Sequence, residues 1–135
     1  MTNSANHSHA TPTIFVVDDD EVVRESLKAF LEASRYAVED FSSGEALLAR
    51  VDGGSADCVL LDIAMPRMSG IEAVQALRRR GYALPVILMT GAATRTTHVQ
   101  AKSMGVRLLE KPIPPAALVS AIEQALGRGE SDLAP

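Results

Sequence analysis

The sequence predicts an α/β fold: a doubly wound parallel sheet of five strands with helices on both faces. Two observations carry that prediction. Strand-like and helix-like segments alternate five times along the chain, the pattern of parallel strands joined by helical crossovers. The strand-like runs, such as Cys58 to Leu61 and Pro85 to Met89, are apolar throughout rather than alternating. Strands buried on both faces read that way.

Thr13 to Val17 is a β-branched and aromatic run that ends abruptly at Asp18, Asp19 and Asp20. Val23, Leu27, Phe30 and Leu31 then recur at helical spacing, with Asp20 as the expected cap. Tyr36 to Phe41 reads as the second strand. Ser42 and Glu45 have capping-box spacing and open a helix through Leu47 and Val51, closed by Gly53 and Gly54. Cys58 to Leu61 is the third strand and stops at Asp62. Met65 and Pro66 bar a helix until Ser69, where a second capping box with Glu72 starts one that runs through Val74 and Leu77 to Gly81. Pro85 to Met89 is the fourth strand, with Pro85 tolerated at its first position. Thr94 to Met104 forms a helix stopped by Gly105, and Arg107 to Glu110 a short fifth strand. The last helix spans Pro114 to Leu126, turning Ala117, Leu118, Ala121, Ile122 and Ala125 inward. Right-handed crossovers leave few topologies, and the flavodoxin-like order 2-1-3-4-5 is one of the common ones.

Composition narrows the function. The chain has 135 residues, 47% hydrophobic and 22% charged, enough for one domain with its own core. Residues 1–12 and 128–135 are polar or small and read as disordered tails around a domain at 13–127. Seventeen acidic against thirteen basic residues give a net charge of −4, which argues against a basic field gripping nucleic acid. A single cysteine excludes a disulfide framework and suits a reducing, cytoplasmic setting. No apolar run approaches the roughly 20 residues that span a bilayer. The polar N-terminus lacks the apolar segment of a secretory signal.

Such sheets bind ligands outside the carboxyl ends of their strands. There the first strand delivers Asp18 and Asp19, the third Asp62, the fourth Thr90 and the fifth Lys111. Converging carboxylates repel by about 4 kcal/mol per pair at ~4 Å and an effective dielectric near 20. A proton or a divalent cation relieves this, and an all-oxygen donor set suits Mg²⁺. A carboxylate can also attack phosphorus to form an aspartyl phosphate. The transferring group carries three charged oxygens, which Mg²⁺, the Lys111 ammonium and the Thr90 hydroxyl or nearby N–H groups can meet.

The segments VVDDDE, LLDIAMPRMSG, VILMTG and LLEKPI, in this order and near this spacing, resemble the receiver domain of two-component response regulators. The style is most similar to receivers of nitrogen-fixation type transcriptional regulators. The resemblance implies that Asp62 is the phosphoacceptor, with Thr90 and Lys111 completing the catalytic set. It implies that Asp19 binds Mg²⁺ directly, Asp18 through a water, and Ala64 through its backbone carbonyl, with Asp62 completing the metal set. It also implies a cis bond between Lys111 and Pro112. The donor would be a histidine kinase or a histidine phosphotransfer protein. Phosphorylation would switch the face around the fourth helix, fifth strand and fifth helix, which would control a partner or output domain and could form a homodimer. No direct nucleic-acid or membrane contact is expected of this domain. It would catalyse only its own phosphorylation and dephosphorylation, not act as an enzyme on an external substrate.

Three features depart from the family pattern. Leu108 stands where the family usually carries a switch aromatic that moves with Thr90. The segment from Gly105 to Lys111 is one residue short. Ala64 and Ala92 occupy the two positions that tune phosphoryl lifetime and point to slow self-dephosphorylation. The alternative reading is a phosphate-independent interaction module, motivated by Leu108 and the short segment. A Mg²⁺-dependent phosphatase of the aspartyl-nucleophile class would want a second acid where Ala64 stands. No helix-turn-helix fits after Leu126, so a complete chain would signal through a partner or a relay, and a cut one through a DNA-binding domain. Taken singly, the acidic run caps a helix, Asp62 and Lys111 are turn residues, and Thr90 is a strand exit. Arg78, Arg79 and Arg80 complement a helix end, His7, His9 and His98 are surface residues, and Cys58 is inert core.

Overall fold

The computed structural model describes residues 11–54 and 56–128. The expected tails and His7 and His9 fall largely outside these residues. Five parallel strands form one sheet in the order β2-β1-β3-β4-β5. They are β1 (Thr13–Val17), β2 (Ala37–Phe41), β3 (Cys58–Asp62), β4 (Val86–Thr90) and β5 (Arg107–Glu110). The helices are α1 (Glu21–Ala33), α2 (Gly44–Val51), α3 (Gly70–Arg79), α4 (Arg95–Ser103) and α5 (Pro115–Ala125).

Alternate residues of the central strands feed two cores. Phe15, Val17, Val59, Leu61, Val86 and Leu88 meet α2, α3 and α4 on one face. Ile14, Val16, Cys58, Leu60, Ile87 and Met89 meet α1 and α5 on the other. β3 and β4 are buried along their whole length, which is why their sequences show no polar alternation. Each such Leu, Ile or Val contributes about 1.5–3 kcal/mol by leaving water. Burial pushes the Cys58 thiol up to about 12, so it stays protonated within the core.

Some expected boundaries shift. The cap of α2 is Ser43, whose hydroxyl accepts from the Ala46 N–H, and not Ser42. Moving the cap on by one residue puts Gly44 at the first helical position, where a Cβ would lie 2.8 Å from Met68 Sδ. Glu45 is thereby freed from a capping box and stands 3.6 Å from Arg67. Tyr36 is buried just before β2, which begins at Ala37. Pro85 lies outside β4, although its carbonyl still accepts from Val59 N–H. The Ser69–Glu72 capping box is present at α3. Arg78 donates to the Tyr82 and Leu84 carbonyls and Arg80 to Asp52, so those cations close a helix end.

Candidate functional site

Sheet register brings the expected residues to one edge. Val17 pairs with Leu61, so Asp18 and Asp62 reach the carboxyl edge side by side. Asp62 pairs with Met89 and Thr90 with Glu110, which sets Thr90 one step and Lys111 two steps further along the same edge. Asp18, Asp62 and Thr90 are the buried polar residues among those described, at 1%, 4% and 5% exposure. Asp19 is exposed at the rim.

Lys111 Nζ lies 3.0 Å from Asp62 Oδ1 and 3.5 Å from Asp18 Oδ2. Its backbone N–H donates to the Thr90 carbonyl, locking the β5 exit to the β4 exit. The Lys111–Pro112 bond is cis. Burial pushes the Asp62 carboxyl above the usual aspartate range; the Lys111 hydrogen bond opposes this, and the Asp18 and Asp19 charges add to it. Burial pulls the Lys111 ammonium down, but the Asp62 hydrogen bond and the charges of Asp62 and Asp18 outweigh it and raise it overall.

Carboxylate oxygens of Asp18, Asp19 and Asp62 lie within 4.8 Å of one another. Asp18 Oδ1 accepts from the Asp20 N–H, whereas Asp18 Oδ2 is buried with no hydrogen bond and only the Lys111 ion-pair contact. A buried carboxylate oxygen without a hydrogen bond is costly. A hard cation among these oxygens would satisfy it, so the donor set fits a divalent ion such as Mg²⁺. Asp20 sits apart and caps α1, its carboxylate accepting from Val22 and Val23. The Thr90 hydroxyl accepts from the Ala92 N–H. The edge thus combines a buried carboxylate, a neighbouring cation, a hydroxyl and a cation-ready acid cluster, the groups that a phosphoryl-transfer centre needs.

The family model for the response regulator receiver domain matches residues 14–123. The chain belongs to the response regulator receiver domain family. The transcriptional regulatory protein FixJ of Azorhizobium caulinodans is 40% identical over 119 residues, covering 85% of this chain and 55% of its own length. The response regulator protein TodT of Pseudomonas putida is 32% identical over 127 residues, covering 93% of this chain and 56% of its own. The receiver spans about half the length of these curated relatives. Among solved structures, a crystal structure described as FixJ-N superposes with a TM-score of 0.81 at 33% identity, covering 87% of this chain and 95% of that one. The Vibrio cholerae chemotaxis protein CheY4 gives 0.81 at 28% identity, over 87% of this chain and 100% of that one.

Within this receiver the departures from the family pattern have definite places. Leu108 is half-buried against the core under α2, α3 and α4. Ala64 and Ala92 are exposed beside the site. Arg24, Asp40 and Gly70 were not expected from the sequence; Arg24 and Gly70 lie against the site's backbone, and Asp40 anchors Arg24. Arg24 Nη1 donates to the Asp18 carbonyl at 2.7 Å and its Nε to Asp40 at 2.9 Å. A Cβ on Gly70 would lie 2.4 Å from the Asp62 carbonyl oxygen. The signal for Arg24 is its place one helical turn beyond Asp20, which returns its side chain toward the acidic run.

Proposed function

We propose that this receiver accepts a phosphoryl group on Asp62 from a phosphohistidine of a histidine kinase or phosphotransfer protein. The observation that carries the reading is the buried Asp62 carboxylate with Lys111 Nζ 3.0 Å away and an acid cluster beside it. An Asp62 oxygen forms the new O–P bond as the donor's N–P bond breaks, and the leaving imidazole is protonated. Asp19, Asp18, Asp62 and the Ala64 carbonyl would hold Mg²⁺, which when bound supplies positive charge to the phosphoryl oxygens. Lys111 offers its ammonium to a second phosphoryl oxygen, and the Thr90 hydroxyl turns from its Ala92 contact toward a third. The chain catalyses its own phosphorylation and hydrolysis and no reaction on an external substrate.

The output face is that of α4, β5 and α5. Lys111 N–H holding the Thr90 carbonyl gives the site a direct route to β5, and Val99 on α4 is 60% exposed there. Phosphorylation biases an existing equilibrium between two arrangements of that face, toward a partner protein, an output domain or a second copy. Val22, 72% exposed, opens an apolar groove lined by Leu27, Phe30, Ile113 and Leu118, next to the acids, where a donor helix can lie. No described helix is long and apolar enough to cross a membrane, and a cytoplasmic location fits this role.

The test is beryllofluoride with Mg²⁺, read by amide NMR. Large shifts at Thr90, Ala92 and Lys111 that vanish in Asp62→Asn support the reading. An unchanged spectrum of folded protein favours a phosphate-independent interaction module.

A further inference from the structure

Every backbone and carboxylate polar atom of Asp18 except one is fixed by the chain. Its N–H donates to the Phe41 carbonyl at 3.1 Å. Its carbonyl accepts from Arg24 Nη1 at 2.7 Å. Its Oδ1 accepts from the Asp20 N–H at 2.9 Å. Only Oδ2 makes no hydrogen bond, and it faces Lys111 and the acid cluster. The carbonyl contact is the one made by a side chain from outside the site. Arg24 is itself anchored, with Nε 2.9 Å from Asp40 Oδ2 on β2, while Lys28 approaches Asp40 Oδ1 at 3.5 Å. Its side chain is only 15% exposed.

We propose that Arg24 is a positioning residue for the cation site: anchored by Asp40, it clamps the Asp18 carbonyl and thereby sets Mg²⁺ affinity. The inference rests on the reading of the acid cluster as a Mg²⁺ site. The guanidinium is planar and forked, so one edge holds the β1–α1 junction while another holds β2. Without it, the Asp18 carbonyl loses its partner and the junction can rotate, carrying Oδ2 away from Asp19 and Asp62. A rival effect has the opposite sign. Arg24 is a cation near a cation site, and if its charge dominated, its removal would tighten Mg²⁺ binding. Asp40 neutralises much of that charge, which leaves the positional effect in control.

The experiment is calorimetric titration of the full chain with Mg²⁺ alone, at a temperature where circular dichroism shows each variant folded. Arg24→Ala is expected to weaken Mg²⁺ binding about tenfold, the lower end for loss of a contact that orients a metal ligand. Arg24→Lys, which keeps the charge but not the fork, is expected to weaken it by a smaller factor. Asp40→Asn weakens it too, and Asp40→Asn added to Arg24→Ala weakens it no further, because the two residues act through one contact. Urea unfolding without Mg²⁺ separates the effects: a structural role alone moves the midpoint and leaves the affinity of folded protein unchanged. Arg24→Ala and Arg24→Lys that bind Mg²⁺ as the parent does, or more tightly, overturn the inference while the parent's binding sustains the reading of the site. A parent chain that takes no Mg²⁺, with Asp19→Asn indistinguishable from it, overturns both.

Discussion

Lys111 Nζ bridges Asp62 Oδ1 at 3.0 Å and Asp18 Oδ2 at 3.5 Å, so one ammonium just past β5 holds together carboxylates from the ends of β3 and β1. Three strand ends are tied by one side chain that arrives last in sequence. The same contact partly neutralises the acids without a metal and stands ready for a phosphoryl oxygen.

Removing that ammonium leaves buried carboxylate charge uncompensated. Lys111→Ala is expected to lower the stability of Mg²⁺-free protein by about 1–3 kcal/mol. Because the Lys111 pKa is raised on folding, its contribution is full below the ordinary lysine value and fades as pH rises through the folded one. Urea midpoints measured at neutral and strongly alkaline pH check both points. The variant should lack the parent's alkaline loss at this group, and Mg²⁺ should restore part of its stability.

Neutralising Asp62 acts in the other direction. Its pKa is raised on folding, chiefly by burial, so the folded state holds the proton more tightly than the unfolded one. Stability from this group therefore falls as pH rises from the unfolded value to the folded one, and stays low above it. Asp62→Asn is expected to stabilise the Mg²⁺-free protein at neutral pH by about 1 kcal/mol, the ordinary scale of a single substitution. The gain should vanish below the ordinary aspartate value. Denaturant titration at pH 3 and pH 7 reads the difference, and a loss of stability at pH 7 contradicts it.

Gly70 carries the turn that brings α3 under β3. Adding a Cβ places it 2.4 Å from the Asp62 carbonyl oxygen, a backbone atom of the site itself. Gly70→Ala is expected to cost about 1–3 kcal/mol, as overpacking does, and to slow acylphosphate-driven phosphorylation because Asp62 must shift. Thermal melts and phosphorylation rates measured on the same sample test the pair of effects.

Tyr36 ties the α1–β2 connection to α5 through Glu123, which also pairs with Arg128. Burial, then the Glu123 hydrogen bond and charge, push its phenol up to about 12. Ultraviolet titration should find one tyrosine ionising near that value. It should be absent from Tyr36→Phe, which costs about 1 kcal/mol for the lost hydrogen bond.

The order of elements was legible because it depends on local apolar runs and breakers. The unbroken apolar run at Cys58 to Leu61 announces a strand buried on both faces, and the Ser69–Glu72 spacing announces the start of α3. The α2 cap was misplaced by one residue because Ser42 and Ser43 offer the same hydroxyl. The choice depends on how Gly44 packs against Met68, a tertiary contact. At the site, the four strand-end segments named Asp18, Asp62, Thr90 and Lys111 because parallel register delivers strand ends to one edge. Arg24 and Asp40 were hidden because a guanidinium between two strands is indistinguishable in sequence from an exposed helix cation. Gly70 was hidden for a similar reason. Its need for glycine comes from the Asp62 carbonyl eight positions earlier, not from a left-handed turn.

Phosphoryl transfer to the Asp62 carboxylate is the step on which the proposed function turns. It is tested most directly by intact-mass measurement after incubation with Mg²⁺ and acetyl phosphate, beside Asp62→Asn. The expected result is a gain of one phosphoryl group that requires Mg²⁺ and is absent from the variant. No gain on folded protein, or an equal gain on Asp62→Asn, would contradict it.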